Sequence, residues 1–517
     1  MPRPWPSLAL LLALAAPAAA ADAPALFAEH CASCHGADRL GAMGPALLPE
    51  SLARIKPEAI AAVIRDGRQA TQMPGFAGTL NEADIAALAG LIREPLAETP
   101  RWGMAEIEAS RTVLVAPETL PDRPRWQADS LNLFVVVEAG DHHVTILDGD
   151  RFEPLARFPS RFALHGGPKF SPDGRFVTFM SRDGWVTRYD LWSLQTVAEV
   201  RAGINSRNIA ISDDGQVVAV ANYLPATLVL LDAATLAPLQ VKTVDDPFHK
   251  TASRVSAVYQ AAPRQSFVLA LKDLPEIWEV SYSPDAAASF SGLVHSHEAG
   301  MVEGLASRER FPIRRTALEE PLDDFFFDPS YDNLIGSSRD GGRGIVVNLD
   351  VRREIAELPL PGLPHLGSGI AFRFQGRGVL ATPHLKEAAL SVVDLKDWKV
   401  VKRVETLGPG FFMRGHEASP YAWVDVSLGP EKDKLQILDE RTLEIVRTLQ
   451  PSPGKSTGHV EFSRDGRFAL VSVSELDGEL VVYDAATFEV VKRLPMSKPV
   501  GKYNVGNKIG RSDGTSH

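Results

Sequence analysis

One turn-and-strand unit recurs at a nearly constant interval, and this restricts the chain more than any other feature. From Leu131 onward, a turn of the Pro-Asp-Gly kind leads into an alternating apolar strand, a short loop, a strand ending in aspartate, and an outer strand rich in Val and Leu. Phe170-Ser-Pro-Asp-Gly-Arg175, Ile211-Ser-Asp-Asp-Gly215 and Phe462-Ser-Arg-Asp-Gly-Arg467 are three copies of the turn. The strand-ending aspartates Asp148, Asp190, Asp232, Asp350, Asp394, Asp439 and Asp484 stand 42, 42, 118, 44, 45 and 45 residues apart. The long interval has room for one more unit, around Phe267 to Tyr282, and an insertion near Ser283 to Pro321. The count is then eight. Four strands per unit at this period is the signature of a β-propeller. A single unit cannot bury both faces of its sheet, so the units stack radially and share them. The expected ring covers 126–506, with a mobile tail at 507–517. A ring of eight leaves a centre wide enough for a large flat ligand.

The beginning of the chain reads differently. Arg3 precedes an apolar run, Leu8 to Ala16, and then the small residues from Pro17 to Ala21. These are the charged, apolar and cleavage regions of an export signal, placed at residues 1–21. The run is shorter than the ~20 residues a membrane span requires, and no later stretch is long and apolar enough. A soluble protein exported to the periplasm is expected. Its formal charge of −11, from 65 acidic and 54 basic residues, speaks against a nucleic-acid or anionic-membrane surface.

The chain has only two cysteines, Cys31 and Cys34, too close together to staple a disulfide framework. With His35 they form C-x-x-C-H, the attachment pattern of a c-type haem. Both thiols add to the vinyl groups on one edge of the porphyrin, and the adjacent imidazole then falls beneath the iron. A short helix over 25–30 carries the motif, Gly44-Pro45 forms a loop over the histidine, and Asn81 caps a helix over 82–92. Residues 22–95 thus resemble the small all-α monohaem cytochromes c, in which a Met-Pro-x-Phe segment supplies the second axial ligand. The resemblance assigns that role to Met73 in Gln72-Met73-Pro74-Gly75-Phe76. Met43 competes, but it lies only eight residues after His35. A linker follows at 96–125.

Of the six histidines His165, His249, His365, His384, His416 and His459 in the repeat region, several stand near strand ends, where a propeller presents residues to its mouth. Around them the resemblance becomes specific. His165-Gly-Gly-Pro-Lys-Phe170, Ser181-Arg182-Asp183-Gly184 and Gly203-Ile-Asn-Ser-Arg207 resemble the haem d1 domain of the cytochrome cd1 family. So do Arg254-Val255, Leu269-Ala-Leu-Lys272, Leu363-Pro-His365, Ala381-Thr-Pro-His384 and Lys498-Pro-Val-Gly-Lys-Tyr503. The resemblance implies haem c plus haem d1, with His165 as proximal ligand of the d1 iron. It also implies that Arg182, Arg207, Arg254 and Lys272 clamp the carboxylates of the anionic macrocycle, a task suited to guanidinium forks.

One departure separates branches of the family. The nitrite-reducing members place two histidines over the distal face of the macrocycle. His384 matches one of them, but the segment expected to hold the other, Leu322 to Tyr331, contains none, and Phe326 or Phe327 cannot deliver a proton. The chain resembles more closely the branch that finishes haem d1 synthesis, oxidising a propionate of dihydro-haem d1 to an acrylate and sending electrons through haem c to an external acceptor. The bases chosen for that reaction are His365, His459 and Tyr503, with His384 nearby and Arg175 steadying the carboxylates. The alternatives are a nitrite reductase forming NO and a non-catalytic haem d1 carrier. Expected partners are dihydro-haem d1, the acceptor, and cytochrome cd1 nitrite reductase with other haem d1 maturation proteins.

Overall fold

In the computed structural model the repeats form eight antiparallel sheets arranged as the blades of a propeller, behind a small helical domain. Residues 22–510 are described, apart from 43, 53–54, 69–72, 99, 165–166, 287–288, 292–304, 308 and 338–341. The proposed export signal, Met43, His165 and the last seven residues lie outside the described residues.

Blade 2 begins its sheet with Lys169–Phe170, blade 3 with Asn205–Ile211, blade 4 with Val255–Ala261 and blade 5 with Asp324–Phe327. Blades 6, 7 and 8 begin with Ile370–Phe374, Met413–His416 and Thr457–Phe462. Blade 1 differs. Its innermost strand is Pro499–Asn504, from the far end of the chain, paired with Leu133–Glu138 so that Tyr503 faces Val135. Eight apolar clusters fill the seams, each shared by two neighbouring blades. Phe134, Leu147, Leu470 and Val482, for example, join blade 8 to blade 1.

The repeated turns have one physical basis. Ser171, Ser212 and Ser463 each accept a backbone N–H five residues on, at 2.9, 2.9 and 3.0 Å. Gly174, Gly215 and Gly466 take the left-handed conformation that each turn needs, with φ of +71°, +70° and +71°. The strand-ending aspartates accept the following backbone N–H groups, as Asp148 does from Asp150 at 2.8 Å. Asp350 is a correction. The strand of blade 5 ends at Asn348, whose amide oxygen takes the N–H groups of Asp350 at 3.1 Å and Val351 at 2.9 Å. An asparagine carries the same acceptor, so the turn is preserved and its marker residue shifts.

Two boundaries also move. The expected linker contains a helix, Met104–Ser110, whose Ile107 is fully buried against blades 2 and 3. Thr112–Val113 then pairs with Gln195–Arg201 as a fifth strand of blade 2. At the other end the helix Val505–Gly510 continues past 506 and buries Val505 and Asn507. The haem c module packs Phe27, Ile60, Ile64, Leu80, Ile85 and Leu88 between its helices. Asn81 caps Glu82–Leu91 in a capping box with Asp84. Among the described residues no helix is long and apolar enough to cross a membrane.

Phe134 is fully buried at the seam where the ring closes. Phe134→Ala is expected to cost about 3–5 kcal/mol, whereas Val491→Ala, at a side chain 51% exposed, should stay within about 0.5 kcal/mol. Chemical denaturation of both variants measures the difference.

Candidate functional site

The haem c attachment site is set by the loop after His35. Gly44 lies flat on the imidazole, and a Cβ there would come within 2.8 Å of the ring. The His35 Nδ1–H donates to the Pro45 carbonyl at 2.8 Å. That bond fixes the tautomer and leaves Nε2 to bind a metal. Burial lowers the His35 pKa, with the Pro45 bond working against it, so the ring is neutral as ligation requires. Cys31 and Cys34 flank it, both half-buried and in no disulfide. This donor set fits a covalently attached haem. Met73 sits in the loop between the helices Pro57–Asp66 and Glu82–Leu91, and its carbonyl takes the Arg68 N–H at 3.1 Å.

In the propeller, a cavity of about 540 Å³ is lined by residues of the innermost strands. Several of these residues reach it through irregular pairing. In blade 3, Ser206 faces Asn222 and Asn208 faces Ala221, so Arg207 is an extra residue in its strand. Ser256 in blade 4 and Val500 in blade 1 are extra in the same way, and in blade 8 the bulge contains His459. All four line the cavity. A bulge releases one residue from the alternation of a strand and re-aims its side chain. His459 also has a φ of +48°, a backbone state uncommon for a side chain of this kind.

Three of the predicted bases meet here. The His365 ring packs on Phe411 with centroids 4.3 Å apart, and its Nδ1–H donates to the Phe411 carbonyl at 2.6 Å. The Ser368 hydroxyl shares this contact, 2.7 Å from Nδ1 and 2.6 Å from the Phe411 carbonyl; a carbonyl only accepts, so in the neutral ring Nδ1 carries the proton and Nε2 the lone pair. His459 packs on Phe412 at 4.6 Å and on Tyr503 at 5.1 Å. Tyr503 lies across Gly501 and Gly167, where a Cβ would come within 2.8 and 3.1 Å of its ring or hydroxyl. Burial pushes the His459 pKa well below 6.5, helped by the charges of Lys502, Lys508 and Arg414. Burial raises that of Tyr503, and Glu461 adds to the effect. The pair is therefore a neutral imidazole beside an intact phenol.

The predicted cations gather around one residue that sequence reasoning did not single out as a site residue. Arg182, Arg254 and Lys272 lie 6.0, 5.5 and 5.7 Å from the centre of the Tyr223 ring. Arg254 is paired with Asp273 at 2.6 Å and Lys272 with Asp323 at 2.5 Å. Arg207 borders the cavity and donates to the Ser256 carbonyl at 3.0 Å. Burial works against its charge, but Tyr223, Asp324, Tyr259 and Asp323 outweigh that, and its pKa rises. The segment that lacks a histidine contributes two carboxylates to the cavity instead. Asp323 and Asp324 line it, and Asp324 accepts from Tyr259 at 2.9 Å and from the Gly367 N–H at 2.9 Å.

Comparison with known proteins follows the same division. Residues 128–508 match the cytochrome D1 heme domain, and residues 18–92 match subunit III of cbb3-type cytochrome C oxidase. The chain belongs to the cytochrome D1 heme domain family. It is 56% identical to the dihydro-heme d1 dehydrogenase of Pseudomonas aeruginosa over 512 residues, 99% of each chain. Protein NirF of the same organism is 30% identical over 72% of this chain and 90% of its own length. A solved structure of dihydro-heme d1 dehydrogenase NirN in complex with DHE superposes with a TM-score of 0.88 at 56% identity, covering 94% of this chain and 99% of that one.

Of the predicted residues of this cytochrome D1 domain, Arg207, His365, His459 and Tyr503 line the cavity, whereas Arg175, Arg182, Arg254, Lys272 and His384 are not among its lining residues. Arg175 is a correction. Its guanidinium binds Asp190 at 2.9 Å and the Pro121 carbonyl at 2.9 Å, and stacks on Trp192 at 4.3 Å. It is a turn anchor, because Asp190 is fully buried and needs a counter-charge. His384 is also fully buried, with Nε2 on the Ser391 hydroxyl at 2.8 Å, and does not line the cavity. Desolvation lowers its pKa to about 4. The bulges and Asp323, Asp324 and Tyr223 had no sequence signal beyond the resemblance itself.

Arg175→Ala should therefore lower stability by about 3–5 kcal/mol and leave pigment affinity within twofold, whereas Arg207→Ala should weaken pigment binding about tenfold or more with little change in Tm. Paired melting curves and pigment titrations test this, and the reverse pattern overturns both assignments.

Proposed function

We propose that the protein is an oxidoreductase of haem d1 biosynthesis that dehydrogenates a propionate of dihydro-haem d1 to the acrylate of haem d1. The observation that carries this reading is the neutral His459 beside Tyr503 on the wall of a cavity that also presents the free Nε2 of His365. The chain's similarity to the dihydro-heme d1 dehydrogenase, across nearly its full length, supports it.

Forming the acrylate breaks one C–H bond on each of two adjacent carbons and releases two protons and two electrons. The protons need bases beside the side chain. His459 is held neutral and accepts a proton, and Tyr503 supplies a hydroxyl that hydrogen-bonds or relays it. His365 would hold the substrate iron through Nε2, because its Nδ1–H is already committed to Phe411. Arg207, together with Arg182, Arg254 and Lys272 around Tyr223, holds the substrate carboxylates in register. Cys31, Cys34 and His35, with Met73, would hold a c-type haem, which would supply one-electron acceptance. An external acceptor takes the electrons in the periplasm, where residues 1–21 direct export. Cytochrome cd1 nitrite reductase and other maturation proteins receive the product.

A nitrite reductase needs a second acid near His384. His384 lies off the cavity, and Asp323 and Asp324 are engaged by Lys272, Tyr259 and Gly367. Neither arrangement favours protonation of bound nitrite.

Purified protein given dihydro-haem d1 and an oxidant should convert the pigment to haem d1, read from its visible spectrum. Tight binding with an unchanged pigment would favour a carrier, and rapid nitrite consumption would favour the reductase. His459→Ala and Tyr503→Phe should each lower kcat about 10²–10⁴-fold. His459 acts in its neutral form, and its pKa lies well below 6.5. Turnover should accordingly persist below pH 6.5 and be lost only as the pH falls through that lowered value. Tyr503, raised above 10.0, should give no alkaline loss below about pH 10. A kcat–pH profile with an acid limb at or above pH 6.5 contradicts the assignment of His459.

A further inference from the structure

A single buried carboxylate stands behind both cavity histidines. Asp425 closes the second strand of blade 7, Ser419–Asp425, and is 1% exposed. Its Oδ1 accepts the Phe411 N–H at 2.7 Å and the Ser427 hydroxyl at 3.0 Å. Its Oδ2 accepts the Phe412 N–H at 3.0 Å and approaches the His459 N–H at 3.5 Å. Gly458 lies flat against it, so that a Cβ there would come within 2.9 Å of Oδ2.

The Phe412 N–H and the Phe411 carbonyl belong to one planar peptide unit. Its N–H donates to Asp425, and its carbonyl accepts both the Nδ1–H of His365 and the Ser368 hydroxyl, each at 2.6 Å. The arrangement is a carboxylate, a peptide and an imidazole in series. Burial raises the Asp425 pKa while the Phe411, Phe412 and His459 N–H groups and the Ser427 hydroxyl favour its charge, and in its ionised form it polarises the peptide and strengthens the carbonyl as an acceptor. The imidazole then becomes a stronger donor of electron density from Nε2, as it does when a carboxylate contacts a metal-bound histidine directly. The same Oδ2 reaches the backbone of His459, and Phe412, fixed by this carboxylate, packs on the His459 ring at 4.6 Å.

We propose that Asp425 is a positioning residue for the dehydrogenation, orienting and tuning His365 through the 411–412 peptide and orienting His459 through its backbone and the Phe412 ring. This rests on the reading that His365 and His459 act on dihydro-haem d1. Asp425 itself lies one residue or one peptide away from any group that faces the cavity.

The test uses the holoprotein with its c haem and dihydro-haem d1 as substrate. Asp425→Asn puts an amide donor where an N–H donor must be received. It should lower kcat about 10–100-fold, leave KM within about twofold, and shift the visible and EPR signals of the bound substrate iron while the c haem bands stay put. Gly458→Ala retains the carboxylate but displaces it, and should move the same signals in the same direction by less. It decides the matter if Asp425→Asn does not fold. Ser427→Ala removes one bond to Oδ1 but leaves the peptide contacts, so it should lower Tm without altering kcat or the substrate-iron spectrum. Wild-type kcat and an unshifted spectrum in Asp425→Asn, or in Gly458→Ala where the first variant does not fold, overturn the proposal. Full turnover in both His365→Ala and His459→Ala would overturn the functional reading itself, a result separate from any outcome at Asp425.

Discussion

Strand Pro499–Asn504 crosses from the end of the chain to become the innermost strand of blade 1, hydrogen-bonded to Leu133–Glu138. A propeller has no other way to bury its first and last apolar faces, since each seam needs a blade on both sides. That closing strand also brings Tyr503 to the cavity wall, between Gly501 of its own strand and Gly167 of the segment entering blade 2. The same strand contributes Lys502, whose amine is fully buried and donates to the His459 carbonyl and to the Ser472 hydroxyl. Burial lowers its pKa to about 7, with Glu461 and Asp425 opposing the shift. Closure of the ring and assembly of the His459–Tyr503 pair are therefore one event.

The electrostatics follow from placing an anionic substrate in a protein with a formal charge of −11. Cations must be concentrated locally, yet unpaired cations in a protein interior are costly. The structure meets both conditions by pairing Arg254 with Asp273 and Lys272 with Asp323 beside Tyr223, while Arg207 stays at the cavity edge. Arg414 and Glu461, at 2.6 Å and both nearly fully buried, do the same deeper in the ring. Such pairs add little net stability, but they fix side-chain geometry before any ligand arrives.

The repeat was legible because its turns are local. A serine, an aspartate and a glycine within four positions determine the hydrogen bonds of each turn, and Ser171, Ser212 and Ser463 make the same one. Asp350 misled for an equally local reason: Asn348 performs the same capping two residues earlier. C-x-x-C-H named the haem c site outright. The cavity was legible only in part. His365, Tyr503 and Arg207 were found by their resemblance to a family and His459 among the histidines near strand ends, but the bulges that aim Arg207 and His459 depend on which residue each strand pairs with. Pairing register is a long-range property, absent from any short window of sequence. Arg175 and His384 fail for the converse reason. Their residue types suit the chemistry, but Asp190 and Ser391 engage them inside their own blades.

The two domains meet where their functions adjoin. The loop whose Pro45 carbonyl holds His35 also carries Ala46 and Leu48, which pack on Ile204 and Leu224 of blade 3. Arg201 donates to the carbonyls of Leu40 and Gly41 in that loop, at 2.5 and 3.3 Å, and Trp102 locks the Arg201 carbonyl at 2.8 Å. Ile204 directly precedes the innermost strand of blade 3, and the bulged Arg207 follows three residues later. Ile204 thus connects the histidine loop to the strand that presents Arg207 to the cavity. The packing of Ala46 and Leu48 against Ile204 and Leu224 is buried and apolar, part of one close-packed cluster across the two domains.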